Sequence, residues 1–281
     1  MNTLMLFGSV LGGLGLFLLA IEMMTDGLKL AAGSTLRKLL TQWCSTPFKS
    51  VFSGFLMTAI VQSSSAVTIA SLGFVNAGLI NMRQTLGIIY GSNIGTTMTG
   101  WIVAIVGFNL NIESFALPMI GIGMFIKLVK KHGQFASFGL ALVGFGLFFV
   151  GIDVLKSTFD SLVQTFDISS FNADGISGVF IYLSFGIVMT VLTQSSSASI
   201  ALIITAVSSD MIGLYAAGSM VIGANIGTTS TAIIAALGAT SPAKRVAAAQ
   251  VLFNLVTGGV ALIILPALFA SIAWGSKVFS I

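Results

Sequence analysis

Two short polar clusters each occur twice in the chain. QSSSA stands at 62–66 and again at 194–198, and GSNIGTT at 91–97 is matched by GANIGTT at 223–229 with six of seven residues identical. Both pairs are 132 positions apart. Gln, Ser, Thr and Asn bring hydrogen-bond donors and acceptors without charge. If a helix restarts at the serines, its free N–H groups and positive dipole end join the hydroxyls of Ser63, Ser64 and Ser65, or of Ser195, Ser196 and Ser197. That is an anion site needing no Lys or Arg. Gln62 and Gln194 can offer a carbonyl to a cation or an NH₂ to the anion. In the second cluster Gly91, Gly95, Gly223 and Gly227 permit local unwinding, which would expose carbonyls. With Asn93, Thr96, Thr97, Asn225, Thr228 and Thr229 they form a set of neutral oxygens suited to a small hard cation such as Na⁺. A lone Ser or Gly more often serves close helix packing or bonds back to its own helix; paired recurrence at one offset favours a ligand site.

The elements that must hold these clusters are apolar. Soluble domains carry about 25% charged residues, whereas this 281-residue chain carries 7% and is 56% hydrophobic. Charge-free runs cover 1–21, 50–82, 84–112, 132–152, 175–209, 211–243 and 246–276, and a spanning helix needs about 20 apolar residues. The chain is expected to be an all-α polytopic membrane protein. A β-barrel would alternate polarity in segments of ~10 residues, which is not seen. The pI of 9.4 does not mark a nucleic-acid binder, because the basic residues sit at loop edges and form no patch that could track phosphates. Cys44 is the single cysteine, which excludes a disulfide framework or a cysteine metal cluster. The first segment has no basic leader and no small-residue cleavage site before Glu22, and reads as a retained helix.

The offset extends beyond the clusters. Gly54, Met57 and Thr58 match Gly186, Met189 and Thr190, and GLGLFLLAIE at 13–22 resembles GFGLFFVGID at 144–153. The chain therefore reads as two copies of one unit, 1–131 and 132–281, in a single transmembrane transport domain with no soluble domain. Each copy has a spanning helix (4–22; 134–152) and an amphipathic stretch (34–43; 157–166). The QSSSA run follows, then a helix broken at the Gly-Asn-Ile-Gly cluster, then a last helix. The QSSSA runs of 33 and 35 residues give about 50 Å of helix at 1.5 Å per residue, short of two spans of a ~30 Å core. They read as re-entrant hairpins, at about 48–79 and 176–209. Lys49 and Arg83 flank the first and Asp174 and Asp210 the second, so each starts and ends on one side. Three spanning helices per copy then make the second copy inverted. With both termini outside, ten of twelve basic residues (Lys29, Arg37, Lys38, Lys49, Arg83, Lys127, Lys130, Lys131, Lys244, Arg245) fall inside, leaving Lys156 and Lys277. Six of eight acids (Glu113, Asp153, Asp160, Asp167, Asp174, Asp210) fall outside, in keeping with the positive-inside rule. Inverted repeats with broken elements near the midplane are a transporter architecture.

Other polar residues are weaker candidates. Glu22 and Asp153 occupy matching positions, each after an apolar run, and are either interfacial carboxylates or cation ligands. Asp26 is one turn further on and expected in solvent. Gln250 and Asn254 share a face of the last helix, either lining a path or bonding between helices, and copy one has no equivalent. His132 sits in the basic loop between copies.

Paired QSSS motifs, each followed some 30 residues later by G-[SA]-N-I-G-T, resemble the type II sodium-dependent phosphate cotransporter family in its compact bacterial form. The resemblance spans essentially the whole chain. It implies secondary active transport of inorganic phosphate coupled to Na⁺, in a bacterial inner membrane, with no cofactor and no enzymatic activity. It assigns substrate binding to Gln62, Ser63, Ser64, Ser65, Gln194, Ser195, Ser196 and Ser197. Na⁺ contacts would fall to Asn93, Thr96, Thr97, Asn225, Thr228 and Thr229, with Glu22 and Asp153 added. No other metal is implied. Partners are phosphate, Na⁺ and the bilayer, with a homodimer left open. Some relatives carry a C-terminal regulatory domain that this chain is expected to lack, and some are thought to export phosphate. Sulfate or another oxyanion is the alternative cargo, and an anion channel the remote one. An intramembrane serine protease needs a base beside its nucleophile, and the single His lies in a loop.

Overall fold

The computed structural model describes residues 3–42, 44, 46–109, 112–130, 132–165 and 175–279. The topology markers Lys131, Asp167 and Asp174 lie outside them, as do the side chains of Arg37, Lys38, Glu113 and Lys277 and the ends Trp43 and Phe166 of the amphipathic stretches. The described chain is helical: α1 (Thr3–Gln42), α2 (Pro47–Val61), α3 (Ser64–Asn76), α4 (Met82–Asn109), α5 (Ile112–Val129), α6 (Gln134–Thr165), α7 (Gly175–Thr193), α8 (Ser196–Ser208), α9 (Leu214–Gly227), α10 (Thr229–Ala235) and α11 (Ser241–Phe279).

Among the described residues, four helical stretches suffice by length and composition to cross a membrane: Phe7–Ala32, Gln134–Leu162, Gly175–Thr193 and Ser241–Trp274. This is a multi-pass membrane protein. Large side chains left on the outside, such as Phe48, Ile176 and Ile263, are 78–88% exposed, as lipid-facing positions require. Two details differ from the sequence reading. The amphipathic stretches do not stand apart: α1 and α6 run on as 40- and 32-residue helices, since no Pro or capping turn interrupts them. And α7, expected as one limb of a hairpin, is itself long enough to span.

Helices approach closely where a glycine on one admits the backbone of the other. A β-carbon on Gly27 of α1 would come within 2.3 Å of Ala141 of α6, and one on Gly144 of α6 within 2.3 Å of Met24. The α2–α4 and α7–α9 pairs repeat one contact set 132 positions apart. A β-carbon on Gly54 would lie 1.9 Å from the Ile88 carbonyl oxygen and one on Gly186 2.0 Å from that of Met220. Likewise a β-carbon on Gly91 would lie 1.8 Å from the Val51 carbonyl oxygen and one on Gly223 2.0 Å from that of Leu183. Small residues let backbones touch where lipid gives helices no hydrophobic reason to associate.

Two apolar clusters interlock the halves. One joins Met57, Val67, Leu72, Val75, Ile88 and Ile89 of α2–α4 to Ala232, Ala236, Val246 and Ala247 of α10 and α11. The other joins Ala198, Ala201 and Leu202 of α8 to Phe17, Val103, Phe148, Phe149 and Ile152 of α1, α4 and α6. So α3 touches α10 and α11 of the second half, and α8 touches α1 and α4 of the first as well as α6 of its own.

Candidate functional site

Each QSSSA is a helix break. α2 ends at Gln62 and α7 at Gln194, both in the left-handed region (φ 55° and 51°). α3 and α8 then restart behind Ser63 and Ser195, whose hydroxyls accept from the Ala66 and Ala198 amides at 3.2 Å. A non-Gly residue at positive φ is strained, and the glutamine side chain compensates. Gln62 Nε2 donates to the Ala59 carbonyl at 2.6 Å and Gln194 Nε2 to that of Val191 at 2.7 Å, satisfying a carbonyl that the ending helix leaves open. The serine caps occupy the third amide of each new helix. The amides of Ser64, Ser65, Ser196 and Ser197 have no partner among the described residues, so two positive helix ends face out of the breaks.

The two breaks meet. Ser65 Oγ donates to the Gln194 carbonyl at 3.2 Å, and Ser197 Oγ to that of Gln62 at 3.4 Å. Two threonines complete the cross-link. Thr99 donates to Gln62 Oε1 at 2.9 Å and sits 3.1 Å from the Ser197 hydroxyl. Thr231 donates to Gln194 Oε1 at 3.1 Å and sits 3.4 Å from that of Ser65. Sequence reasoning missed Thr99 and Thr231. They too are 132 apart, two residues beyond GSNIGTT and GANIGTT, and that offset was the signal. Ser64, Ser196, Ser197 and Gln62 are buried, whereas Gln194 is exposed.

The second motif behaves differently from the expectation of unwinding. α4 passes unbroken through GSNIGTT, and α9 yields to α10 only at Thr228, which keeps helical angles (φ −61°, ψ −20°). The glycines are there for contact with α2 and α7, and the helical hydrogen bonds stay closed. The threonines bond back along the helix: Thr96 to the Ser92 carbonyl, Thr97 to Ile94, Thr228 to Asn225 and Thr229 to Ile226. Their protons are spent, and their lone pairs remain for a cation. Asn254 of α11, completely buried, ties the two motifs together. Its Oδ1 accepts from Asn93 Nδ2 at 2.8 Å, and its Nδ2 donates to the Asn225 carbonyl at 3.1 Å and to Thr228 Oγ1 at 3.0 Å. Gln250, one turn away and 2% exposed, leaves Oε1 without a partner.

Two cavities reach this assembly. One, of about 810 Å³, is lined by Asn93, Thr96, Thr97, Ser196 and Asn225 among apolar residues including Tyr90 and Phe253, whose rings stack at 4.2 Å. The other, of about 460 Å³, is lined by both cap serines, Ser63 and Ser195, with Thr193 and with Glu22, Thr25, Asp26 and Lys29 of α1. The site was read as needing no Lys or Arg, yet Lys29 shares the pocket, with Asp26 3.3 Å from its ammonium. Asp26, expected in solvent, is exposed and lines the pocket too. Asp153 is exposed on α6 and does not line this pocket, and His132 is exposed. Among the described residues no three His, Cys, Asp or Glu side chains converge, so a cation here would meet mainly neutral oxygens.

The profile of the Na⁺/Pi-cotransporter family matches residues 16–157 and 168–275. The chain belongs to that family. It is a family of transporters, not enzymes. The chain is 33% identical over 255 residues, 88% of its length, to the uncharacterized protein YqeW of Bacillus subtilis (strain 168), covering 78% of that protein. It is 27% identical over 257 residues, 92% of its length, to the putative inorganic phosphate export protein YjbB of Escherichia coli (strain K12). It spans about half of YjbB, 46%. A 98-residue stretch, 34% of the chain, is 35% identical to 15% of the sodium-dependent phosphate transport protein 2A of Rattus norvegicus. No solved structure matches.

Proposed function

We propose that this protein is a secondary active transporter that couples Na⁺ to the movement of inorganic phosphate by alternating access. The observation that carries the reading is the meeting of the two QSSSA breaks, which brings together two helix starts with four unpartnered amides between them. Ser63, Ser64, Ser65, Ser195, Ser196 and Ser197 bind the anion. Gln62 and Gln194 hold the breaks open, and each Oε1 keeps one lone pair. Asn93, Thr96, Thr97, Asn225, Thr228 and Thr229 supply oxygens to Na⁺.

Charge balance gives the coupling. Phosphate carries one or two negative charges near neutrality. Two helix ends of about +0.5 each, beside a lysine already answered by Asp26, do not balance a desolvated dianion. Co-transported Na⁺ does, so each ion admits the other. The halves 1–131 and 132–281 act as inverted repeats, with α2–α3 and α7–α8 as re-entrant hairpins entering from opposite faces, and rocking of one half against the other exposes the site alternately. Both termini lie outside.

Uptake of labelled phosphate and sulfate into proteoliposomes, with and without a Na⁺ gradient and at clamped voltage, tests the reading. Na⁺-dependent phosphate uptake is expected; equal flux without Na⁺ would make the protein a passive anion pore. Ser64→Ala and Ser196→Ala are each expected to abolish the Na⁺-dependent component while the protein is still recovered intact. Outward transport is the second reading, favoured by the match to YjbB over 92% of the chain. Flux measured in right-side-out and inside-out vesicles separates the two directions.

A further inference from the structure

The pocket beside the cap serines contains three charged side chains, Glu22, Asp26 and Lys29, all on α1. They are four and three residues apart, so one face of the helix presents all of them. Lys29 and Asp26 answer each other at 3.3 Å. Glu22 makes no ion pair or hydrogen bond with any described residue and is exposed. The other acceptors at the breaks each already hold one donor: Gln62 Oε1 and Gln194 Oε1 receive Thr99 and Thr231, and the Ser63 and Ser195 hydroxyls receive the Ala66 and Ala198 amides, whereas Glu22 holds none and alone among these acceptors carries a charge. Ser63 and Ser195, each directly before the unpartnered amides, line this pocket together with Glu22, so an oxyanion bound at the caps would have the Glu22 carboxylate as a neighbour.

Phosphate and sulfate are tetrahedral and nearly equal in size. They differ in that phosphate near neutrality keeps at least one hydroxyl hydrogen, whereas sulfate keeps none. A carboxylate accepts a hydrogen bond from the P–OH group. To sulfate it offers only repulsion, the element that makes a site selective. We propose that Glu22 selects phosphate over sulfate by accepting the hydroxyl hydrogen of the bound phosphate. This rests on the oxyanion-transport reading above, and it gives Glu22 a role other than Na⁺ ligation. Asp153 has no such part, since it does not line the pocket.

The test compares wild type, Glu22→Gln and Asp26→Asn in proteoliposomes, with phosphate uptake measured against rising sulfate. In wild type, excess sulfate is expected to leave phosphate uptake intact. In Glu22→Gln the amide still accepts but no longer repels, and the preference for phosphate should fall about tenfold or more. Asp26→Asn releases Lys29, which should strengthen binding of both anions and leave their ratio unchanged. An unchanged ratio in Glu22→Gln together with a raised Na⁺ requirement would overturn the proposal, because it marks a cation ligand. A ratio shifted as far in Asp26→Asn would also overturn it, because net charge alone would then explain selection. Thermal shifts of the purified proteins with phosphate and with sulfate read the same ratio without transport. Wild type that accepts both anions equally defeats the role of Glu22 alone; wild type that neither binds nor carries phosphate defeats the transport reading with it.

Discussion

The two QSSSA breaks share one backbone geometry and differ in what surrounds it. In the first, Gln62 is 4% exposed and its Thr99 partner is buried; in the second, Gln194 is exposed. Behind the second break, Thr190 bonds to Ser199 at 2.9 Å. Its counterpart Thr58 has no partner, because Val67 stands where Ser199 would be. Ser92, in place of Ala224, is likewise unpartnered. The last helices differ most. α11 sends Asn254 between the two GxNIGTT segments, whereas at its matching position in α5 copy one has Ile122. The 132-residue recurrence holds where the backbone requires it, and the side chains one shell away differ.

The largest expected effect tests where the copies should agree. Gly54→Ala and Gly186→Ala each drive a methyl to within 2.0 Å of a carbonyl oxygen, and a packed helix pair cannot absorb that. Each should cost about 3 kcal/mol or more, read as loss of monodisperse protein in detergent. If one copy tolerates the change, the α2–α4 and α7–α9 contacts are not equivalent.

Asn254→Leu should come next. It leaves the partly buried Asn93 amide without its acceptor and should cost about 1–3 kcal/mol, seen as a lower unfolding temperature. Asn254→Asp, which keeps the acceptor but loses the donors to Asn225 and Thr228, separates the two halves of the link.

Thr99→Val and Thr231→Val sharpen the asymmetry between the breaks. The first leaves a buried Gln62 oxygen unpaired and should cost about 1–2 kcal/mol. The second leaves an oxygen of the exposed Gln194 and should cost about 0.5 kcal/mol or less. Equal melting shifts would show that exposure at Gln194 does not matter.

The smallest effect is a difference of sign. Thr58→Val removes a buried hydroxyl with no partner and should be neutral or stabilise by about 1 kcal/mol. Thr190→Val breaks the bond to Ser199 and should destabilise by a similar amount. Thermal unfolding of both variants, side by side, decides whether the copies differ there.

Much of this was legible without coordinates. The absence of charge from long runs dictates helices in lipid, and recurrence at 132 positions marks the residues that matter. A glutamine before three serines signals a helix that stops and restarts, because Ser is a strong N-cap. The glycines of GSNIGTT were misread for a physical reason: glycine permits unwinding and also permits contact, and only the neighbouring helix decides which. With the Val51 carbonyl against Gly91, contact prevails and the helix stays closed.

From its sequence alone the chain was bound to be a helical membrane protein with recurring uncharged polar clusters, since hydropathy and motif recurrence can be read directly from the residues. Tertiary structure alone decided that Ser65 meets Gln194 and Ser197 meets Gln62, that Thr99 and Thr231 lock those meetings, and that Glu22 and Lys29 share a pocket with the caps. Each of these joins residues far apart in the chain, and hydrogen bonds act over about 3 Å, a distance that sequence spacing does not specify.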